Sequence, residues 1–212
     1  MLLMAKSIGN GNSELEISLN SIIIVQSEEY FNDYSDNYVR RHRGPIRLIS
    51  GEPERIEEIG EIELWYIDGS RALDNGLDIV DVCDSVGREE FEYADAIYTE
   101  NRIDEAIIQE PMSTDVLALH SISILPEYRG NQYGLHVTRK IIETIGYHCG
   151  AVLLRPAPLQ FSPRNNDTEW TERMNMQKFT TDEQTATEKL LQYWNAFELR
   201  PSKHPAIFCV IQ

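Results

Sequence analysis

The sequence predicts an α+β fold, a mixed and twisted β-sheet flanked by helices, with a helical insertion before the central strand. The first observation is a strand-like run at 115–125, followed by a glycine-bearing turn, a helix-like repeat and a second strand-like run at 151–154. That is the order of a βαβ unit. The second is helical spacing of apolar residues over 77–98, ahead of this unit. The third is length: 212 residues, 42% of them hydrophobic, can bury one sizeable core, so a single domain spanning 1–212 is expected.

The N-terminal segment predicts strands separated by irregular structure. Residues 1–13 contain a glycine- and asparagine-rich stretch and predict a loose start. Residues 14–26 predict a strand pair or one long strand, because they end in a run of β-branched residues. The acidic, aromatic stretch 27–38 predicts a short helix or a loop.

A basic cluster and two further strands follow. The cluster at 40–43 is either a solvated loop or a contact with a cofactor or substrate. Strands are predicted at 46–49 and 59–67, and the pair Asp68-Gly69 then signals a turn.

Residues 70–110 are predicted to be an acidic helical segment. Apolar residues recur at helical spacing over 77–98, and Gly87 is expected to divide this run into two helices. The polar residues on these helices either face a cationic substrate or form a solvated helix face. Those considered are Asp84 with Ser85, Glu92 and Asp95.

The middle of the chain carries a pattern suited to an anion. The strand at 115–125 leads into a turn at 126–134 and a helix predicted at 135–147. The turn feeds the helix N-terminus, where unpaired N–H groups and the positive end of the helix dipole favour an anion. Its two glycines let the backbone approach that anion, and Arg129 adds a fixed charge with forked geometry.

The remainder predicts a strand, an irregular piece, a helix and a closing strand. Two prolines stop the strand at 151–154. A polar stretch at 160–181 predicts irregular structure. Residues 182–197 place apolar side chains on one helix face, and 206–211 predicts the closing strand.

In the stretch 115–161 the chain resembles the GNAT superfamily of acyl-CoA-dependent N-acyltransferases. The phosphate loop of that family reads Gln/Arg-x-x-Gly-x-Gly/Ala, and residues 129–134 align with it in order. Gln132 stands where the family usually has glycine. The segment 190–199 is similar to a late family helix, with Trp194 in its tyrosine place and Glu198 in its glycine place. The resemblance covers about half of the chain.

The resemblance implies a GNAT-like fold in which 115–161 forms an acyl-CoA-binding core, with acetyl-CoA as the expected cofactor. It also implies that 70–110 is an insertion, because helices before the central strand are not typical of the smallest family members. In the family the central strand and its neighbour splay apart, and main-chain groups hold the thioester arm. Here those groups would belong to Ile122 and Ile124, and an N–H near Ile122 would polarise the acyl carbonyl. The residues implied to contact the cofactor are Ile122, Ser123, Ile124, Arg129, Gly130, Asn131, Gln132, Tyr133, Gly134 and Leu135.

His120 is the candidate general base. A protonated amine cannot attack a thioester, so such an enzyme needs a base, often acting through water. An ordinary histidine pKa of about 6.5 suits this role. Strand alternation predicts that Ala118, His120, Ile122 and Ile124 share one face, and some arylalkylamine N-acetyltransferases of the family place a water-relaying histidine at the equivalent distance. The alternative is a core or interface histidine satisfied by a backbone carbonyl.

Tyr193 is the candidate acid for the departing thiolate. The resemblance places Trp194 where the family often has a tyrosine that protonates the thiolate, and an indole cannot act as that acid. Tyr193 lies about 100° away around the helix and could serve only if the helix is rotated; core packing is the alternative. Tyr133 is another candidate, and a thiolate can also leave unassisted.

Charge is unevenly distributed along the chain. Residues 1–110 hold 25 Asp/Glu and 9 Lys/Arg, whereas 111–212 hold 10 of each, so the whole net charge of −16 lies in the first half. An acidic half suits a cationic substrate or partner, and a neutral half with local basic residues suits a polyanionic cofactor. The alternative is a solubilising acidic surface. Nucleic acid is not expected as a ligand, because phosphate contacts need clustered Lys/Arg.

Cysteine content and hydropathy exclude several classes of protein. Three cysteines without Cys-x-x-Cys spacing argue against a disulfide scaffold and a structural zinc site, and no metal site is expected. No run of about 18 apolar residues exists, so no membrane span is expected. The apolar run at 1–5 is too short for a signal peptide. A reducing cytoplasm is the expected compartment.

These observations predict an N-acetyltransferase that transfers acetyl from acetyl-CoA to a primary amine, of a cationic small molecule or a basic peptide, by direct attack in a ternary complex. One rival is a GNAT-fold module that binds acyl-CoA without turnover. A second rival is an acidic interaction protein that engages a basic partner. The oligomeric state is open, with a homodimer among the alternatives.

Overall fold

The structure, a computed structural model, describes residues 2–5, 13–18, 20–22, 38–50, 55–162 and 166–211. In this part of the chain the strands are β1 (Leu2–Ala5), β2 (Ser13–Ser18), β3 (Asn20–Ile22), β4 (Val39–Ser50), β5 (Arg55–Ile67), β6 (Tyr98–Thr99), β7 (Arg102–Ile103), β8 (Val116–Ile124), β9 (Ala151–Leu154), β10 (Leu199–Pro201) and β11 (Phe208–Val210). The helices are α1 (Gly69–Asp74), α2 (Ile79–Val86), α3 (Arg88–Ile97), α4 (Tyr133–Thr144), α5 (Thr168–Arg173) and α6 (Glu183–Trp194).

Nine of these strands form one mixed sheet. Its order is β1-β2-β4-β5-β8-β9-β11-β10, with β3 paired to β4, while β6 and β7 form a separate hairpin. The pairings are antiparallel except that β8 and β9 run parallel. The predicted α+β class and the mixed sheet flanked by helices are therefore confirmed. Within the described residues, no helix combines the length and apolar character needed to cross a membrane.

Two apolar cores cover the two faces of the sheet. The insertion-side core packs α1–α3 against the sheet and includes Trp65, Tyr93 and Ala118. The helix-side core packs α4 and α6 against the opposite face and includes Leu119 and Trp194. All four residues of β9 are buried, as expected for a parallel strand that is covered on both faces.

Aspartates begin four of the helices. The side chains of Asp68, Asp78, Asp167 and Asp182 accept hydrogen bonds from first-turn amides of α1, α2, α5 and α6. Such caps satisfy amides that have no partner within the helix. The predicted break at Gly87 is confirmed, since α2 ends and α3 begins there.

Several predictions for the first half of the chain were wrong in part. The loose start contains β1, which pairs with β2. The strands predicted at 46–49 and 59–67 are longer, and the Asp68-Gly69 pair begins α1 instead of a turn. The strand pair predicted at 14–26 is observed as β2 and β3 as far as residue 22, whereas 23–37 lie outside the described residues.

The basic cluster at 40–43, predicted to be either a solvated loop or a contact with a cofactor or substrate, is not a loop. It lies within β4, and each of its three arginines forms an ion pair with a different carboxylate. Arg40 pairs with Asp68 at 3.1 Å, Arg43 pairs with Glu61 at 3.0 Å, and Arg41 pairs with the buried Glu90 of α3. The cluster therefore joins the sheet to the insertion.

The second half follows the prediction more closely. The strand at 151–154 is confirmed residue for residue, and the helix predicted at 135–147 runs over 133–144. The stretch 160–181 is not wholly irregular, because Asp167 begins α5. The closing strand is shorter than predicted and pairs with β10, which the sequence did not indicate.

Candidate functional site

The site lies where the two parallel strands separate. β8 has nine residues and β9 has four, and they pair only from Val116 with Ala151 to Leu119 with Leu154. Beyond Leu154 the chain turns away at Arg155-Pro156. A cavity of about 420 Å³ lies beside the unpaired half of β8, lined also by residues of 154–160, 174–180 and α6.

Main-chain groups of Ile122 and Ile124 face this gap. The Leu125 amide donates to the Ile59 carbonyl at 2.8 Å, so the main-chain N–H and C=O groups of Leu125 point toward β5. Alternation along an antiparallel ladder then directs the groups of Ser123 and Ser121 to β5, and those of Ile122 and Ile124 to the other side. The Ile124 carbonyl accordingly accepts a hydrogen bond from Arg129 in the cavity wall.

The loop after β8 contains two left-handed residues. Gly130 has φ of 85° and Gln132 has φ of 61°, and Gln132 directly precedes α4 without capping it by its side chain. A residue with a Cβ is strained in this region, so glycine is favoured at both positions. The glutamine therefore occupies a position with the backbone conformation that a glycine would adopt without strain.

Tyr193 occupies the N-terminus of α4. A Cβ on Gly134 would lie 2.5 Å from the Tyr193 hydroxyl oxygen, so a larger residue there would displace the tyrosine side chain. Burial raises the pKa of Tyr193, and a hydrogen bond from the Leu135 amide partly opposes that shift. Both Tyr193 and Trp194 line the cavity, so the expected need to rotate the helix does not arise. Trp194 is buried, and Tyr193 is partly exposed.

Arg129 is engaged within the protein. Its Nε donates to the Ile124 carbonyl at 2.8 Å, and its Nη2 donates to the Met174 carbonyl at 2.7 Å. Its guanidinium carbon lies 4.8 Å from the centre of the Phe179 ring, and burial lowers its pKa. Arg129 therefore fastens the segment 174–179 to the end of β8. Lys178 and Lys189, both exposed, place further positive charge at the cavity.

His120 lies at a β-bulge, which overturns the predicted strand face. Ser121 pairs with Glu63 and Leu119 with Leu64, so His120 is the extra residue. Its ring stacks on Trp65 of the insertion-side core at 4.0 Å and 13°. Ile122 and Ile124 pack against the helix-side core. His120 therefore shares a face with Ala118 and lies opposite Ile122 and Ile124, because the bulge breaks the alternation.

The surroundings of His120 favour its neutral form. Burial lowers its pKa, while Glu63, Glu89 and Glu90 raise it by less and Arg155 adds to the lowering. Its Nδ1 is buried and has no hydrogen-bond partner among the described residues. His120 thus lines the cavity in surroundings that favour an uncharged imidazole.

Arg155 lines this wall and packs on the buried ring of Tyr93, and sequence reasoning missed both residues. Arg155 lines the cavity, donates to Glu92 at 2.6 Å and lies 5.2 Å from the Tyr93 ring centre. The only sequence signal was an arginine directly after a buried strand. Tyr93 carried no signal beyond its position on a helix. Of the polar residues considered at 70–110, Glu92 accepts a hydrogen bond from Arg155 in the cavity wall, whereas Asp84, Ser85 and Asp95 are exposed.

The three cysteines are buried, and the described His, Cys, Asp and Glu side chains form no metal-binding group. Cys83, Cys149 and Cys209 are free and buried, and burial raises the pKa of each thiol to about 12. A thiol with such a pKa carries almost no reactive thiolate at neutral pH. Within the described ranges, no group of three His, Cys, Asp or Glu side chains is arranged to hold a metal ion.

Comparison with known proteins gives no family assignment: no protein-family model, no curated protein and no solved structure matches the chain.

Proposed function

We propose that the chain is a GNAT-type N-acetyltransferase that transfers acetyl from acetyl-CoA to a primary amine. The observation that carries the proposal is the separation of β8 from β9, which turns main-chain groups of Ile122 and Ile124 toward a cavity. An extended ligand with amide groups can pair with such an open strand edge. The pantetheine arm of CoA has this chemistry.

The loop at 130–135 fits the diphosphate of the same ligand. Two left-handed residues bring the backbone around to the start of α4, and a helix N-terminus favours an anion. The Leu135 amide there is held by a neutral tyrosine hydroxyl, which a phosphate oxygen would replace as a stronger acceptor. The exposed ammonium groups of Lys178 and Lys189 would supply the remaining positive charge.

Acetyl-CoA, when bound, supplies an activated thioester whose C–S bond is exchanged for the new C–N bond of an amide. His120 accepts a proton from the incoming ammonium ion, directly or through water, since its lowered pKa keeps the imidazole neutral at pH 7. Glu63 and Glu89 favour a cation beside it. Tyr193 keeps its proton at neutral pH, because burial raises its pKa. Once a phosphate oxygen has replaced it at the Leu135 amide, its hydroxyl would be the proton donor to the departing thiolate, which otherwise leaves unassisted.

Acetyl-CoA consumption in the presence of an amine panel tests this function. The panel should include polyamines, basic peptides and neutral amines, with thiol release and product mass measured together. We expect amine-dependent thiol release and a product heavier by one acetyl group. Acetyl-CoA that neither binds by calorimetry nor is consumed with any amine would refute the proposal.

A binding module without turnover is the second candidate. It is favoured by Trp194, whose indole lies in the cavity wall where the resemblance expects a tyrosine hydroxyl. In that case CoA would bind with the same dependence on the loop, while no amine would increase thiol release. The two candidates therefore differ in turnover and agree in binding.

A further inference from the structure

Among the described residues, no hydrogen bond at Nδ1 fixes the His120 ring. That nitrogen is buried and unpaired, whereas His120 lines the cavity, so Nε2 is the ring nitrogen left to meet an incoming amine. The orientation of a functional histidine is usually set by the hydrogen bond that its other ring nitrogen makes. For His120, within the described part of the chain, ring packing has to take over that task.

Trp65 provides this packing. Its indole is buried in the insertion-side core and lies 4.0 Å from the imidazole, centre to centre, with 13° between the two ring planes. Turning the imidazole about its Cβ–Cγ bond would tilt it into the indole, so the stack holds the ring plane. The Tyr93 ring adds a second, edge-on contact with the imidazole at 6.5 Å and 70°. Aromatic pairs of both kinds favour a fixed arrangement.

The indole of Trp65 is itself held from two directions. Its N–H donates to Glu63 Oε1 at 2.9 Å. Arg41, the partner of Trp65 in the β4–β5 ladder, places its guanidinium carbon 4.9 Å from the indole ring centre and forms an ion pair with the buried Glu90. Arg41 lies on β4 and His120 on β8, the two strands that flank β5. The basic cluster at 40–43 therefore reaches His120 through one tryptophan.

We propose that Trp65 is a positioning residue for His120: it holds the imidazole plane so that Nε2 meets the amine, while Arg41 and Glu63 hold the indole. The proposal rests on the proposed function, because it gives Trp65 a role in proton transfer. In that transfer one N–H bond of the ammonium ion breaks and one forms at Nε2, which leaves the free amine. The indole takes no proton, but its face attracts the positive charge that the imidazole gains.

Two substitutions of Trp65 separate positioning from packing. Trp65→Phe and Trp65→Leu both remove volume from the insertion-side core and the N–H that Glu63 accepts, but only phenylalanine keeps an aromatic face beside the imidazole. Trp170→Leu is the matched control. The indole of Trp170 is also buried and also donates to a carboxylate of β5, that of Glu61 at 2.9 Å, but it packs in a separate apolar cluster with Leu125.

The imidazole of His120 is observed directly in NMR spectra, and its signals are assigned by their loss in His120→Gln. In wild type the indole ring current should shift the imidazole ring protons upfield. Trp65→Leu should abolish this shift, because no aromatic face remains. Trp65→Phe should keep part of it, and Trp170→Leu should match wild type.

The titration of His120 in the same spectra gives a second measure. Burial lowers its pKa, so Trp65→Leu, which lets water replace the indole, should bring the pKa up toward the ordinary value of about 6.5. Trp65→Phe should keep more of the lowering. The charged groups around the ring remain in both variants, and both free Glu63 equally, so the difference between the variants reports the stack. These groups are Glu63, Glu89, Glu90 and Arg155, with Arg41 behind the indole.

Turnover then shows whether the stack serves the reaction. In Trp65→Leu, kcat should fall by about tenfold, the upper end of what one aromatic pair contributes, while CoA affinity in calorimetry should stay unchanged. In Trp65→Phe, kcat should lie closer to wild type than to Trp65→Leu. An equal fall in both variants would overturn the positioning role and leave the transferase, because lost volume alone would explain it.

The spectra distinguish failure of positioning from failure of the proposed function. An upfield shift that Trp65→Leu abolishes, in a protein that consumes acetyl-CoA with no amine, would refute the transferase and still support the orientation of the ring by Trp65. If Trp65→Leu does not fold, wild type and Trp65→Phe still decide the matter. Wild-type His120 ring protons without an upfield shift would overturn the proposal.

Discussion

Replacing Arg129 by alanine should release the segment from Met174 to Phe179 from the end of β8. Its guanidinium makes two hydrogen bonds of 2.7 and 2.8 Å to main-chain carbonyls, one on each element. A hydrogen bond that involves a charged group contributes about 1.5–3 kcal/mol. Because both carbonyls border a cavity that water can reach, the lower figure applies to each. The cation–π contact with Phe179 adds about 0.5–1 kcal/mol. The free energy of unfolding should therefore fall by about 3.5–4 kcal/mol.

Urea unfolding followed by fluorescence measures this loss, and Arg139→Ala is the matched control. Arg139 is exposed and contacts one ring, that of Phe197 at 5.7 Å, so its removal should cost about 1 kcal/mol or less. An Arg129→Ala protein as stable as this control would refute the fastening role.

CoA calorimetry then separates fastening from direct anion binding. Arg129→Ala should weaken CoA binding by about tenfold or more, the scale of a charge-assisted hydrogen bond. Arg129→Lys keeps the charge but cannot reach both carbonyls with a rigid fork. If Arg129 acts by ordering 174–179, the lysine variant should lose both stability and CoA affinity. CoA affinity retained by the lysine variant would show that the charge itself is what matters.

Five further outcomes are expected. Gln132→Gly should bind CoA as well or better in calorimetry, because glycine adopts positive φ without strain, and added backbone freedom limits the gain to about 1 kcal/mol; a large loss would identify the glutamine side chain as a ligand. His120→Gln should bind CoA normally but lose about 100- to 10,000-fold in turnover. Because the pKa of His120 is lowered, kcat/KM of the wild type should fall below pH 6.5, and this fall should disappear in the variant. Near-normal turnover of the variant across that pH range would assign His120 a structural role. The same substitution should reduce the loss of stability on acidification, because unfolded histidine binds protons at a higher pH than the folded one, and urea titrations at several pH values measure this. Gly60→Ala should destabilise by about 3 kcal/mol or more in urea, since its Cβ would lie 2.2 Å from the Ser123 carbonyl oxygen; an unchanged midpoint would show that β5 and β8 can move apart there. Cationic acceptors should outcompete neutral ones, with the preference fading as salt screens the charges; equal turnover of both at low salt would contradict it.

The elements around the cavity could be predicted because they depend on local pattern. The strand at 151–154 was predicted residue for residue, since a buried parallel strand reads as a short apolar run and two prolines end it. The helix after the loop was predicted within a few residues from its apolar repeat. These signals lie within about a dozen neighbouring residues, which is the range that periodicity can read.

The contacts that define the candidate site could not be predicted in the same way. The bulge at His120 arises from register with β5, and no residue type near it signals an extra residue. Arg129 finds its second carbonyl 45 residues away in Met174, and Arg155 finds Glu92 at a separation of 63 residues. Such pairings depend on how distant elements pack, so sequence spacing placed His120 on the same face as Ile122 and Ile124 and left Arg155 out.

The short pairing between β8 and β9 has a mechanical consequence. Six strands lie on one side of it and three on the other, and four residue pairs join these two parts of the sheet. Parts joined by few hydrogen bonds can open as separate cooperative units with less free energy than global unfolding. We therefore expect amide hydrogens of β9, β11 and β10 to exchange with solvent earlier than those of β4 and β5. A ligand spanning the gap would add hydrogen bonds to both parts, so exchange across the whole sheet would slow together.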